Sequence, residues 1–307
     1  MHKAVILVVV GAQTCLPPPD DNPGALPLDA PITMDVGAFD PTSGTCSTPT
    51  VPNRVPMHVR QPSGTDTYPV FLFLPGTGRD ADNPTAIALI ERAAGRGFVA
   101  ASAEYASLSN HLSPPEPCYN YDGKASCTFQ VDAPEAPEAA LNLLCNDLTV
   151  TGAAAGLRVD CSKGIVVAGF SQGGGLAMLA QDHHAGVDAA WVISFHDQTL
   201  IDPVPLECLH HDERSLPQDA LRLILGEDDW VLRTPHQPHL EDVTGRSCPT
   251  NTETCFDADD SGWGRVRNSE CASGSCGHEY LDDNAFWGNA WWGANTNLDW
   301  LQGQLTP

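Results

Sequence analysis

Five short, almost unbroken apolar runs punctuate the chain: residues 70–74 (VFLFL), 98–101 (FVAA), 165–168 (IVVA), 189–195 (AAWVISF) and 221–225 (LRLIL). A strand with only one face buried alternates apolar and polar residues. A run apolar at every position must be covered on both faces, and helices packed on a parallel sheet supply that cover. Helical patterns lie between the runs. Asn83 and Pro84 open one that Gly95 closes, with Ile87, Ile90 and Ala94 on one face. Residues 134–146 predict a second, a third starts near Gly173 and ends before Gly186, and a last one spans about 294–301. The expected fold is therefore α/β, with a mostly parallel central sheet flanked by helices. The stretch from about 233 to 277 breaks this rhythm. It is polar and holds Cys248, Cys255, Cys271 and Cys276, which predicts a disulfide-rich insertion.

The N-terminal end reads differently. A short positive start, Met1-His2-Lys3, precedes a nine-residue apolar run at 4–12, too short to span a bilayer and suited to an export leader. Residues 1–15 are expected to be a signal or lipoprotein leader. Cys15 is its candidate lipid anchor, and ordinary cleavage after Gly11 is the alternative. Residues 16–50, rich in Pro, Gly, Asp and Thr, read as a linker, and 51–307 as the domain. The 11 cysteines form no CxxC pair and have no histidine at zinc-finger spacing, so a structural zinc is not expected. Without Cys15, ten remain, enough for five disulfides whose pairing the sequence leaves open. That usage implies an oxidising compartment: secreted, periplasmic, or lipid-anchored at the outer membrane.

Charge narrows the partners. With 39 acidic against 15 basic residues, the net charge is −24. Such a field repels phosphate backbones, so no nucleic-acid partner is expected.

Chemistry concentrates at Gly169-Phe170-Ser171-Gln172-Gly173, a GxSxG pattern. In a chain with 27 glycines the pattern alone is weak. Its position is not: an apolar strand run precedes it and a helix start follows. Small residues at 169 and 173 permit a sharp strand-to-helix turn that holds Ser171 at the tip, where the helix dipole favours developing negative charge. The competing reading is a glycine-rich turn with an incidental serine. A serine hydroxyl also needs a base, and the base a carboxylate.

The stretches YPVFLFLPGTG (68–78), RGFVAASAEY (96–105), VDCSKGIVVAGFSQGGG (159–175), LILGEDDWV (223–231) and Gly277-His278 resemble the α/β-hydrolase superfamily. The likeness is to secreted serine esterases of the dienelactone-hydrolase, cutinase and polyester-hydrolase neighbourhood. The resemblance implies the order Ser, acid, His, with Ser171 as nucleophile and Asp229 as acid. Asp228 and the more distant Asp197 stay open as alternatives. Of His236, His239 and His278, it implies His278, in a late loop before the last helix. It also implies an oxyanion hole from the backbone N–H groups of Gln172 and Thr77, the latter in the turn after VFLFL. The expected activity is hydrolysis of small or polymeric carboxylic esters through an acyl-enzyme, by a monomer without cofactor or metal. A non-catalytic binding protein, a peptidase or a polyesterase on the same scaffold are the alternatives.

Two features stay outside this reading. Residues 257–262 (DADDSG) begin like a calcium loop, but the twelfth position is Asn268 where a bidentate Glu is needed. Four of seven tryptophans crowd the C-terminal end (Trp287, Trp291, Trp292, Trp300), which suits either core or pocket.

Overall fold

The computed structural model describes residues 17–18, 22–36, 55–104, 140–146, 156–195, 209–231 and 236–305. All five apolar runs contribute strands. They form β3 (Val70–Leu74), β4 (Val99–Ala103), β5 (Ile165–Ser171), β6 (Val187–Phe195) and β7 (Leu221–Gly226). With β1 (Ile32–Val36), β2 (Val55–Arg60), β8 (Thr254–Phe256) and β9 (Gly262–Val266) they make one nine-stranded sheet in the order β1-β2-β4-β3-β5-β6-β7-β9-β8. From β4 across to β9 every pairing is parallel, and β1, β2 and β8 add antiparallel edges. The chain is thus α/β with a mostly parallel mixed sheet.

Helices cover the apolar strands as their composition requires. The helix α1 (Pro84–Gly95) begins as predicted: the Asn83 side-chain oxygen Oδ1 accepts the Ala86 amide at 3.0 Å, and Pro84 needs no donor there. The predicted second helix is present over Ala140–Asn146, and the third is split at Leu179 into Gln172–Met178 and Ala180–His183. The last, Ala294–Gly303, docks on α1, where Arg96 bonds Asp299 at 2.8 Å and Asn295 at 2.9 Å. Trp292 is core, with Phe286 between it and Trp191, and Trp287, also buried, lies beneath the Arg92 guanidinium.

Two expectations about organisation are corrected. Part of the supposed linker, residues 22–36, belongs to the domain. The Leu26 amide bonds the Gly95 carbonyl at 2.8 Å, the Asp29 carboxylate bonds Arg158 at 2.6 Å, and Ile32–Val36 is an edge strand on β2. An edge strand needs no continuous apolar run, so composition concealed it. The supposed insertion is likewise built into the sheet. It contributes the helix His236–Thr244, and β9 lies parallel to β7 while β8 lies antiparallel to β9. Gly264 in β9 leaves room for the Trp291 ring, which a Cβ there would strike, so the strand looks polar and glycine-rich in sequence. The leader, Cys15 and residues 37–54 lie outside the described residues.

Three disulfides are present among the described residues: Cys145–Cys161, Cys248–Cys255 and Cys271–Cys276. They are consistent with an exported protein. No helix of the described residues is long and apolar enough to cross a membrane.

Candidate active site

β5 runs into the helix Gln172–Met178 with no intervening residue, and Ser171 sits at the junction with φ 56° and ψ −120°. A non-glycine residue held there is strained by about 1–3 kcal/mol. The two glycines permit the close approach. A Cβ on Gly169 would enter the Gly173 backbone, and one on Gly173 would meet the carbonyls of Leu74 and Pro75. Ser171 makes no capping bond to the helix with its side chain.

Its hydroxyl instead meets His278. The distance from Oγ to Nε2 is 2.8 Å, and the other ring nitrogen, Nδ1, lies 2.9 and 3.0 Å from the two Asp229 carboxylate oxygens. An ionised carboxylate only accepts, so Nδ1 carries the proton and Nε2 accepts from the serine. All three residues are buried, and the Asp229 side chain is wholly so.

Backbone contacts to one strand bring these distant residues together. Asp229 follows β7, and one of its oxygens accepts the Val231 amide at 3.1 Å. The Glu227 amide bonds the Val266 carbonyl at 2.8 Å, and the next amide, Asp228, bonds the Cys276 carbonyl at 3.0 Å. Gly226 allows this contact, since a Cβ would collide with that same carbonyl. After His278, the buried Tyr280 hydroxyl donates to the Ile224 carbonyl at 3.1 Å. Burial, then the Asp229 charge, push the Tyr280 pKa well above its ordinary value, so it stays a neutral donor. Asp229 and His278 are therefore both pinned to β7.

The rival candidates stand elsewhere. The Asp228 carboxylate takes bonds from Asn268 (2.9 Å) and the Ser275 hydroxyl (3.3 Å), away from the imidazole. His239 lies face to face with Phe195 at 5.6 Å. Asp197 and the His236 side chain lie outside the described residues. Thr77 falls in the loop between β3 and α1, as expected, and its hydroxyl donates to the Gln172 side-chain carbonyl at 2.7 Å. The Gln172 amide, in the first helical turn, has no carbonyl partner within its helix. The calcium-like stretch is otherwise occupied: Asp257 pairs with Arg246, and Asp259 accepts the Ser261 amide and hydroxyl. Among the described residues no group of three His, Cys, Asp or Glu could hold a metal ion.

Three neighbours were not legible as site residues. Phe170 packs on the His278 ring at 5.1 Å, and the Arg79 guanidinium covers Phe170 at 4.8 Å. Arg79 is bidentate on Asp282 (3.0 and 2.6 Å) and 3.4 Å from Glu279. Burial opposes its charge, but the Asp282 bonds and both carboxylates prevail and hold its pKa above the ordinary value. Trp230 follows Asp229 directly and meets His278 edge-on at 6.2 Å. Its signal was a large aromatic in an acidic loop.

No protein-family model matches the chain, and no curated protein is similar enough to show kinship.

Proposed function

We propose that this protein is an exported serine hydrolase of the α/β-hydrolase type that cleaves carboxylic esters. The observation that carries the reading is the unbroken hydrogen-bonded relay from Ser171 through His278 to Asp229, on a strained strand-to-helix turn. Those three side chains come from three separate stretches, 107 residues apart between serine and histidine and 49 between histidine and aspartate. A structural turn with an incidental serine gives no reason for a buried imidazole on its hydroxyl and a buried carboxylate behind it.

His278 takes the Ser171 proton as the oxygen attacks the ester carbonyl. The tetrahedral oxyanion forms beside the amides of Gln172 and Thr77, one at the helix start and one in the loop after β3; one such donor is worth about 3–4 kcal/mol. His278, held in its tautomer by Asp229, gives the proton to the leaving alcohol. Water then repeats the sequence on the acyl-enzyme.

The test is direct. A fluorophosphonate should label Ser171, and Ser171→Ala should abolish hydrolysis of short-chain p-nitrophenyl esters. Undiminished turnover in that variant would sink the reading.

A further inference from the structure

His278 has a second surface. Away from Ser171 it lines a cleft of about 870 Å³ whose walls include Trp230, Trp287, Arg79, Glu279, Asp282 and Asp283. Trp230 is 77 % exposed; among the described residues only Leu26, at 41 %, is another exposed large hydrophobic. An indole face left in water beside a reactive histidine is a ready partner for a ligand, and its quadrupole selects cations.

The charges agree. Three carboxylates line the cleft against one guanidinium, and that guanidinium is engaged by Asp282 and Glu279. Asp282 spends both oxygens on Arg79 and one also on Thr85. Asp283 accepts amides from Ala272, Ser273 and Ala285. Arg79 cancels one of the three negative charges, so the cleft keeps a net negative field while Asp282 and Asp283 have few free lone pairs. An organic cation responds to field, whereas a polyol needs lone pairs.

We propose that this cleft takes the alcohol portion of the substrate, and that this portion carries a quaternary-ammonium-type cation seated on Trp230. The proposal rests on the esterase reading: His278 hands its proton to the leaving oxygen, so the departing group lies on the histidine's side of Ser171.

The experiment compares kcat/KM for butyrylcholine with that for 3,3-dimethylbutyl butyrate, a neutral ester of the same shape. The wild type should favour the cation by about 3- to 30-fold. Trp230→Leu, which keeps an apolar side chain at an exposed position, should bring the ratio close to one, and Glu279→Gln should lower it partway. A wild-type ratio near one, or a ratio unmoved by Trp230→Leu, overturns the proposal. Calorimetric binding of phenyltrimethylammonium to the Ser171→Ala protein, weakened by the further change Trp230→Leu, reads the cleft without turnover. Binding with no hydrolysis of either ester supports the cation site and defeats the esterase reading. Hydrolysis without binding does the reverse.

Discussion

The Thr77 hydroxyl donates to the Gln172 side-chain carbonyl at 2.7 Å and so bonds the loop after β3 to the first residue of the helix after the serine. These are the two residues whose amides are assigned to the oxyanion. Breaking the link should leave each amide in the protein but loosen their spacing. Thr77→Val should lower kcat about ten-fold, less than the loss of a whole donor, with KM little changed. Thr77→Ser should restore the rate. A Thr77→Val enzyme with unaltered kcat would show the link to be incidental.

Asp229 and Asp228 are neighbours in sequence and differ in partner. Asp229→Asn should cut kcat by about 10⁴, because an amide no longer fixes the proton on Nδ1. Asp228→Asn touches only Asn268 and Ser275 and should change the rate about two-fold at most. Steady-state kinetics on the two variants decides the assignment, and the opposite order would transfer the role.

The strain at Ser171 predicts a trade of activity for stability. Glycine tolerates φ 56°. Ser171→Gly should therefore be inactive yet more stable by about 1 kcal/mol, raising Tm by about 2–4 °C. Ser171→Ala keeps the backbone cost and should show no such gain. Thermal denaturation of the pair separates backbone strain from the lost hydroxyl.

The disulfides should rank differently for stability and for activity. Cys145–Cys161 closes a separation of 16 residues and Cys271–Cys276 one of 5. Loop entropy assigns them about 3 and 2 kcal/mol. Cys276 is two residues from His278, and its carbonyl takes the Asp228 amide. Replacing both cysteines of the shorter bridge by serine should thus cost less stability but more kcat than the same change in the longer bridge. Urea titration and kinetics on both double variants would check this.

What the sequence revealed follows burial. Strands β3 to β7 lie inside the sheet, and their runs of Val, Leu, Ile and Phe carry that fact openly. β1, β8 and β9 lie at or near its edges, where Thr33, Asp35 and Gly264 are allowed, and their pattern says little. At the site, Ser171 was legible because its turn demands glycines at fixed positions. The pairing of Asp229 with His278 depended on resemblance, since 49 residues separate them and their register lies in amide contacts that no side chain encodes. Arg79, Tyr280 and Trp230 were hidden because their roles depend on what lies across from them.

Consecutive amides of Glu227 and Asp228 bond carbonyls on Val266 and Cys276, so residues 267–275 leave and rejoin a single ladder at neighbouring rungs. The reach from Asp229 to His278 is then set by those two rungs, and by the Cys271–Cys276 bridge that braces the second, rather than by the length of chain between them. Evolution, or a designer, can lengthen, shorten or regraft that excursion to reshape the mouth of the cleft while the reacting atoms keep their spacing.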